Sequence, residues 1–149
     1  RVTLALFCLF TVALAATPLS SARGWNDNIE WYSYSEGLEK ATETGKDIMI
    51  LFHSTRCGAC KRLQPDLASN KEIEALSKNF VMINVENDEE PSADPVFRED
   101  GAYIPRIYFT DSNGVPDYTI TSGNENYKFF YGSSPGIARQ MKAISEKKQ

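Results

Sequence analysis

Two cysteines separated by two small residues are the part of this sequence best suited to chemistry. Cys57 and Cys60 enclose Gly58 and Ala59 in the stretch "STRCGACKRLQP". A pair at this spacing can exchange disulfides, contribute to a metal site or close a structural disulfide. The thiolate is the attacking species in disulfide exchange, so the surroundings of each sulfur decide between these possibilities.

The preceding residues predict that Cys57 lies at the start of a helix. The run "DIMILFH", residues 47–53, is short, apolar and flanked by turn signals, as in a buried central strand. A sulfur at the following helix N-terminus faces unpaired backbone N–H groups and the positive end of the macrodipole, which favour the thiolate. Arg56 and Lys61 add positive charge nearby. We therefore predict that Cys57 is the nucleophile and that these two cations tune it, although they could also be solvated surface residues.

Cys60 is predicted to be the shielded partner of Cys57. It follows by three residues, one turn along the same helix face, and shares an apolar face with Leu63. A buried thiol acts only after a mixed disulfide has formed, which is the role of a resolving cysteine. Gly58 and Ala59 are small and leave the first sulfur open to a bulky protein disulfide, so we predict that they help to position substrate.

Three other interpretations of the pair compete with redox chemistry. A zinc site needs about four ligands, and without Cys8, which lies in the predicted signal described below, the chain offers only His53 and carboxylates besides the pair. A structural disulfide across so short a loop would constrain the unfolded chain little. A non-catalytic surface pair is the third alternative. We expect no metal and no cofactor beyond a redox-active Cys57–Cys60 disulfide.

The first residues predict a secretory signal peptide. The run "RVTLALFCLFTVALAA" begins with a cation and is then apolar and uncharged, but is shorter than the about 20 residues of a spanning helix. Small-residue cleavage sites end at Ala15 and Ala22, and an uncleaved anchor is the alternative. We assign residues 1–22 to this signal, truncated at its start, and residues 23–149 to one domain. Cys8 would be removed with it, which leaves the Cys57–Cys60 pair alone in an oxidising compartment.

The length and net charge of the chain limit the kinds of molecule that it is expected to bind. The chain has 149 residues and a formal net charge of −4, which argues against nucleic acid and, once the signal is cleaved, against an anionic membrane. The expected partners are proteins that carry thiols or disulfides.

The other elements alternate along the chain. Ser33, with Glu36 three residues on, predicts a helix that ends at Gly45, with Trp31 on its apolar face. Further helices are predicted after the cysteine pair and from Ser134, the expected N-cap of the last one. Strands are predicted at "FVMINVE", "RIYFT" and, after a turn at "DSNG", "VPDYTI". Strands separated by helices pair in parallel and a hairpin adds an antiparallel edge, so the fold class is α/β with a mixed central sheet flanked by helices.

Several of these features together resemble the thioredoxin fold. They are the strand before C-G-A-C, Pro65 eight residues after Cys57, and Ile104-Pro105 before a strand. The blocks "CGACKRLQP", "IEALSKNFVMINVENDEEP" and "GAYIPRIYFTDSNG" are similar to the small endoplasmic-reticulum thioredoxin-like proteins of the anterior-gradient group. The similarity runs from about Gly24 to Lys147, nearly the whole domain.

This resemblance implies a thiol–disulfide oxidoreductase of the endoplasmic reticulum lumen, with glutathione as co-substrate. It also implies that Pro105 is cis and lies across from Cys57, where the backbone beside Ile104 pairs with an extended substrate. A module that binds clients or partners with little catalysis is the alternative. The group carries a lysine-aspartate-glutamate-leucine-type retention signal, whereas this sequence ends "SEKKQ"; we expect either a truncated record or a secreted protein.

Two residues depart from the pattern that the resemblance implies. Leu51 stands six residues before Cys57, where thioredoxins and disulfide isomerases carry a buried carboxylate, and Arg56 replaces the usual aromatic. The proton of Cys60 must then go to water or another group, and we expect slower release of the mixed disulfide. His53 could be a proton shuttle, although a structural role is the ordinary one for such a residue.

Overall fold

The computed structural model describes residues 21–149. Within that part of the chain the central sheet has four strands in the order β1-β3-β2-β4. These are Trp31–Tyr32 (β1), Asp47–His53 (β2), Phe80–Glu86 (β3) and Arg106–Thr110 (β4). Strands β1 and β2 run parallel to β3, and β4 runs antiparallel to β2, so the predicted mixed α/β sheet is confirmed. Most of the predicted signal segment, with Cys8, lies outside the described residues.

Helices pack on the sheet on both faces. They are Tyr34–Thr44 (α1), Gly58–Ser69 (α2), Lys71–Leu76 (α3) and Ser134–Lys147 (α4), with short 3₁₀ turns at Ser77–Asn79 and Pro95–Phe97. Among residues 21–149, no helix is both long and apolar enough to cross a bilayer.

Strand β2 is buried on both faces and separates two hydrophobic clusters. Met49 and Leu51 join the cluster that contains Cys60, whereas Ile48 and Phe52 join the opposite cluster. This alternation follows from the two-residue period of a strand. The end of β2 that leads to the cysteine pair is therefore held from both sides by packed side chains.

Helix α1 begins and ends where the sequence predicted. Ser33 Oγ accepts a hydrogen bond from the backbone N–H of Glu36 at 3.4 Å. Gly45 ends the helix with φ of 70°, a conformation that favours glycine, and its N–H donates to Ala41 O. The prediction that Trp31 lies on this helix was wrong. Trp31 belongs to β1 and pairs with Met82, because Trp31 and Tyr32 form a short edge strand before the N-cap residue Ser33.

The predicted edge strand "VPDYTI" is also wrong. It makes one isolated antiparallel bridge, between Thr110 and Pro116, and Asp117 N donates to Phe109 O at 2.9 Å. Pro116 has no N–H to continue a ladder. The Asp117 carboxylate then accepts from the backbone N–H of Thr119, which turns the chain away from β4.

A carboxylate from α2 caps helix α4. The N-cap is Ser133 rather than the predicted Ser134. The backbone N–H of Ser134 donates to Asp66 Oδ2 at 2.7 Å, and its hydroxyl donates to Asp66 Oδ1 at 2.9 Å. The sequence pattern missed this because the capping group lies 68 residues earlier in the chain.

Removing this cap is expected to destabilise the protein. Asp66→Ala should lower the free energy of unfolding by about 1 kcal/mol, the usual cost of losing a helix N-cap. Urea unfolding followed by circular dichroism measures it. Glu39→Ala, an exposed carboxylate on α1, is the matched control and should change stability by less than about 0.5 kcal/mol. Equal effects of the two substitutions would contradict the capping role.

Candidate active site

Cys57 is the N-cap residue of α2, immediately before the first helical residue. Its Sγ accepts a hydrogen bond from the backbone N–H of Cys60 at 3.1 Å. The side chain is partly exposed. A sulfur in this position faces the helix N-terminus, where backbone N–H groups and the macrodipole favour negative charge. The predicted placement of the first cysteine at the helix start is therefore observed.

The loop before β4 lies opposite Cys57. The peptide bond between Ile104 and Pro105 is cis, as the family resemblance implied. The Cys57 thiol donates to the carbonyl oxygen of Ile104 at 3.6 Å. The two segments are 47 residues apart in sequence and meet because β4 pairs with β2.

Cys60 is buried behind Cys57. It is 2% exposed and packs in the cluster that contains Leu63 and Leu67, as the helical spacing predicted. Burial, followed by the hydrogen bond with Cys57, raises the pKa of the Cys60 thiol to about 12. Both thiols are free in this structure. Loss of the Cys60 proton is thus the difficult part of forming a disulfide here.

The surface over the pair is open. Gly58 is exposed and Ala59 is partly buried. A Cβ atom added at Gly58 would meet only Arg62 Nη1, at 3.7 Å. A bulky substrate can therefore approach this turn, although the predicted positioning roles of Gly58 and Ala59 stay predictions.

The two cations predicted to tune the site are exposed. Arg56 precedes the motif in the loop after β2, and Lys61 lies in the first turn of α2. Solvent screens charges in such positions. Tuning by Arg56 and Lys61 stays a prediction.

Leu51 is fully buried and lies in the same apolar cluster as Cys60. An alkyl side chain at this position cannot accept a proton. Leu51 therefore cannot serve as a base for Cys60.

A polar cluster beside Cys60 was only partly predicted. His53 is 3% exposed; its Nε2 lies 2.6 Å from Asn84 Oδ1, and its Nδ1 lies 3.3 Å from Glu86 Oε2. These residues adjoin because β2 and β3 pair in parallel, with His53 opposite Glu86 and Leu51 opposite Asn84. The signal available in the sequence was Asn84, a polar residue inside an otherwise apolar strand.

A cavity of about 390 Å³ is lined by His53 and Glu86 of this cluster and by Cys60 of the cysteine pair. Its lining also includes Arg23 and Lys61. Within residues 21–149, no group of three or more His, Cys, Asp and Glu side chains is arranged to hold a metal ion.

Comparisons with known proteins agree with this geometry. The model of a family described as thioredoxin-like matches residues 30–112. Anterior gradient protein 3 of Mus musculus is 34% identical over 116 residues, which cover 76% of this chain and 68% of that protein. Anterior gradient proteins of other vertebrates are similar at comparable identity.

Solved structures match in fold. A thioredoxin from Thermus thermophilus superposes with a TM-score of 0.59 at 20% identity, covering 80% of this chain and 89% of that one. A DsbH oxidoreductase superposes with a TM-score of 0.57 at 17% identity, covering 88% of this chain and 94% of that one. At these identities the likeness concerns the fold alone.

Proposed function

The chain belongs to the thioredoxin-like family and has the anterior gradient proteins among its homologues, and from this premise we propose that it is a thiol–disulfide oxidoreductase acting on protein disulfides through Cys57 and Cys60. One observation carries the proposal. Cys57 Sγ lies at the N-terminus of α2 and faces the Ile104 carbonyl, with Cys60 buried directly behind it.

The first step is attack by the Cys57 thiolate on a substrate disulfide. A bond forms between Cys57 Sγ and one substrate sulfur, the substrate S–S bond breaks, and the other substrate sulfur leaves as a thiolate. An extended substrate strand can pair with the backbone beside Ile104, as in β-strand addition. Recognition through the backbone needs no particular substrate sequence.

The second step releases the substrate. Cys60 loses its proton and its sulfur attacks Cys57 Sγ, so the Cys57–Cys60 disulfide forms and the second substrate sulfur leaves as a thiolate. The substrate disulfide is reduced and the protein dithiol is oxidised. Glutathione can return the protein to its dithiol form, and we propose it as the co-substrate that supplies these electrons.

The cellular setting is part of the same proposal. A dithiol of this kind would work on newly made proteins in the endoplasmic reticulum lumen, or outside the cell if the protein is secreted. The predicted signal segment and the anterior-gradient homologues support the secretory pathway. Residues 23–149 would then form one thioredoxin-like domain. Within the group, its "CGACKRLQP" block resembles thioredoxin domain-containing protein 12, and we propose a similar role in protein folding.

Trapping the intermediate tests the proposal. Cys60→Ser should accumulate a covalent mixed disulfide with substrate proteins that contain disulfides, because Cys57 can attack such a bond but nothing resolves the product. Mass spectrometry under non-reducing conditions should locate the adduct on Cys57. The variant that carries both Cys57→Ser and Cys60→Ser should trap nothing. If the single variant formed no adduct, the redox function would be wrong, and client capture by the double variant would favour the binding-module alternative.

A further inference from the structure

We propose that His53, held by Asn84 and backed by Glu86, accepts the Cys60 proton across the cavity that they share, in place of the carboxylate that Leu51 replaces. This inference rests on the proposed thiol–disulfide exchange and names the base that its second step requires. Five contacts of the described residues and one cavity carry it.

The orientation of the Asn84 amide defines the tautomer of His53. Asn84 Nδ2 donates to the backbone carbonyls of Ser21 at 2.6 Å and Ala22 at 3.1 Å. Its Oδ1 therefore faces His53 Nε2, 2.6 Å away. An amide oxygen only accepts, so Nε2 carries the hydrogen.

The other ring nitrogen of His53 is consequently the basic one. In the neutral ring Nδ1 carries a lone pair, and this atom lies 3.3 Å from Glu86 Oε2. A lone pair on Nδ1 opposite the Glu86 carboxylate is electrostatically unfavourable. A proton on Nδ1 would remove this repulsion and form a charge-assisted hydrogen bond to Glu86. Glu86 Oε1 meanwhile accepts from the backbone N–H of Thr55 at 3.0 Å, which fixes the carboxylate against the ring. The pair is therefore arranged to receive one proton.

Cys60 has access to this pair. Cys60 and His53 both line the cavity of about 390 Å³, which is large enough to hold water. The residue after His53, Ser54, lines the same cavity. A proton can pass from Cys60 Sγ through water to Nδ1 without leaving the protein.

The surroundings of His53 favour an imidazole that is unprotonated at neutral pH and can therefore act as a base. Burial lowers the pKa of His53, and Arg23 acts in the same direction, while Asn84, Glu86 and Glu89 act against them. Lys61 lies on the cavity wall contributed by α2. His53 is thus unprotonated at pH 7 and has an acceptor position beside a carboxylate.

In the proposed step, Cys60 Sγ–H gives its proton to Nδ1 while its sulfur attacks Cys57 Sγ. The disulfide forms between the two cysteines, and the substrate leaves as a thiolate that takes a proton from solvent. The His53–Glu86 pair then returns its proton to water through the partly exposed Glu86 side chain, whose relative exposure is 22%. In the reverse direction the same pair reprotonates Cys60.

The experiment separates the two sulfur steps. The reduced protein is mixed with a stoichiometric amount of the aromatic disulfide 5,5′-dithiobis(2-nitrobenzoate), and thionitrobenzoate release is followed by stopped-flow absorbance. The first phase reports attack by Cys57 and the second reports attack by Cys60 on the mixed disulfide. Cys60→Ser should retain the first phase and lose the second.

The second phase should be slower in His53→Gln by about tenfold or more at pH 7, which is less than the roughly 10²–10⁴-fold of a full general base because water replaces part of the function. Its pH profile is the specific readout. In the wild-type protein the rate should rise with pH through the lowered pKa of His53 and then level off. In His53→Gln it should keep rising toward the high pKa of Cys60.

Glu86→Gln gives a second variant that keeps the ring in place. Loss of the carboxylate charge should move the midpoint of the wild-type profile to lower pH and slow the plateau rate, because a weaker base remains. The matched control is Glu90→Gln, which removes an exposed carboxylate four residues after Glu86 that is not among the groups acting on His53. It should leave the second phase within about twofold of wild type.

Two results would overturn the inference. One is a second phase whose rate and pH profile are the same in wild type, His53→Gln and Glu86→Gln. The other is a slower second phase with an unchanged profile, which would mean that His53 only supports the fold. Absence of a first phase in the wild-type protein would instead contradict the proposed function.

Discussion

Cys57→Ser is expected to abolish reduction of insulin disulfides by glutathione beyond the uncatalysed background. Cys57 is the partly exposed sulfur of the pair, at the start of α2. A hydroxyl at this position is not ionised near neutral pH and cannot attack a disulfide. Loss of a covalent nucleophile removes nearly the whole catalysed rate, about three orders of magnitude or more. Turbidity of the precipitating insulin chain measures the rate.

The control for this substitution is Cys60→Ser in a single-turnover assay. It should show one normal round of attack by Cys57 and then stop, because the mixed disulfide persists. Cys57→Ser should show no round at all, since Cys60 is 2% exposed and holds its proton tightly. Equal single-turnover attack in the two variants would contradict the assignment of nucleophile and resolving cysteine.

The central part of the site was predictable because its signals are local. The apolar run of β2, the cysteine spacing and the apolar positions of α2 lie within 23 consecutive residues, 47–69. Helical periodicity alone placed Cys60 with Leu63 inside and left Cys57 at the open end. The position of Ile104 and Pro105 opposite Cys57 came instead from the family resemblance, because no local pattern brings segments 47 residues apart together.

The features that the sequence did not predict depend on the register between strands. The opposition of His53 and Glu86 requires β2 and β3 to pair in one particular alignment. The predicted edge strand failed for a related reason, since a propensity for extended structure cannot replace the N–H that Pro116 lacks. The carboxylate that caps α4 is likewise contributed by a distant helix.

The structural role of Arg106 was also not predicted, because the sequence around it has the pattern of an apolar strand. It is fully buried at the start of β4. Its guanidinium donates to the carbonyls of Phe97 at 2.8 Å, Tyr103 at 3.1 Å and Ser92 at 2.9 Å. It also lies 4.4 Å from the centre of the Phe52 ring, a favourable cation–π distance. One side chain thus ties the segment before Ile104 to the loop after β3.

Arg106→Met is expected to lower the free energy of unfolding by about 3 kcal/mol or more. Methionine fills much of the volume but leaves the three carbonyls without this charged donor, and hydrogen bonds to charged groups contribute about 1.5–3 kcal/mol each before the chain relaxes. Guanidinium unfolding measures the loss. Arg62→Met, on the exposed face of α2, is the control and should remain within about 0.5 kcal/mol of wild type.

The same substitution should also slow the reaction of Cys57 with large substrates more than with small ones. Arg106 Nη1 holds the carbonyl of Tyr103, the residue before Ile104, so its loss frees the backbone that we expect to pair with an extended chain. Attack on 5,5′-dithiobis(2-nitrobenzoate) needs no such pairing and should change little. If Arg106→Met were folded and reduced insulin at the wild-type rate, the backbone beside Ile104 would not be positioning substrate. Because this comparison uses the folded variant at a temperature well below its unfolding midpoint, a loss of stability alone cannot produce the difference between the two substrates.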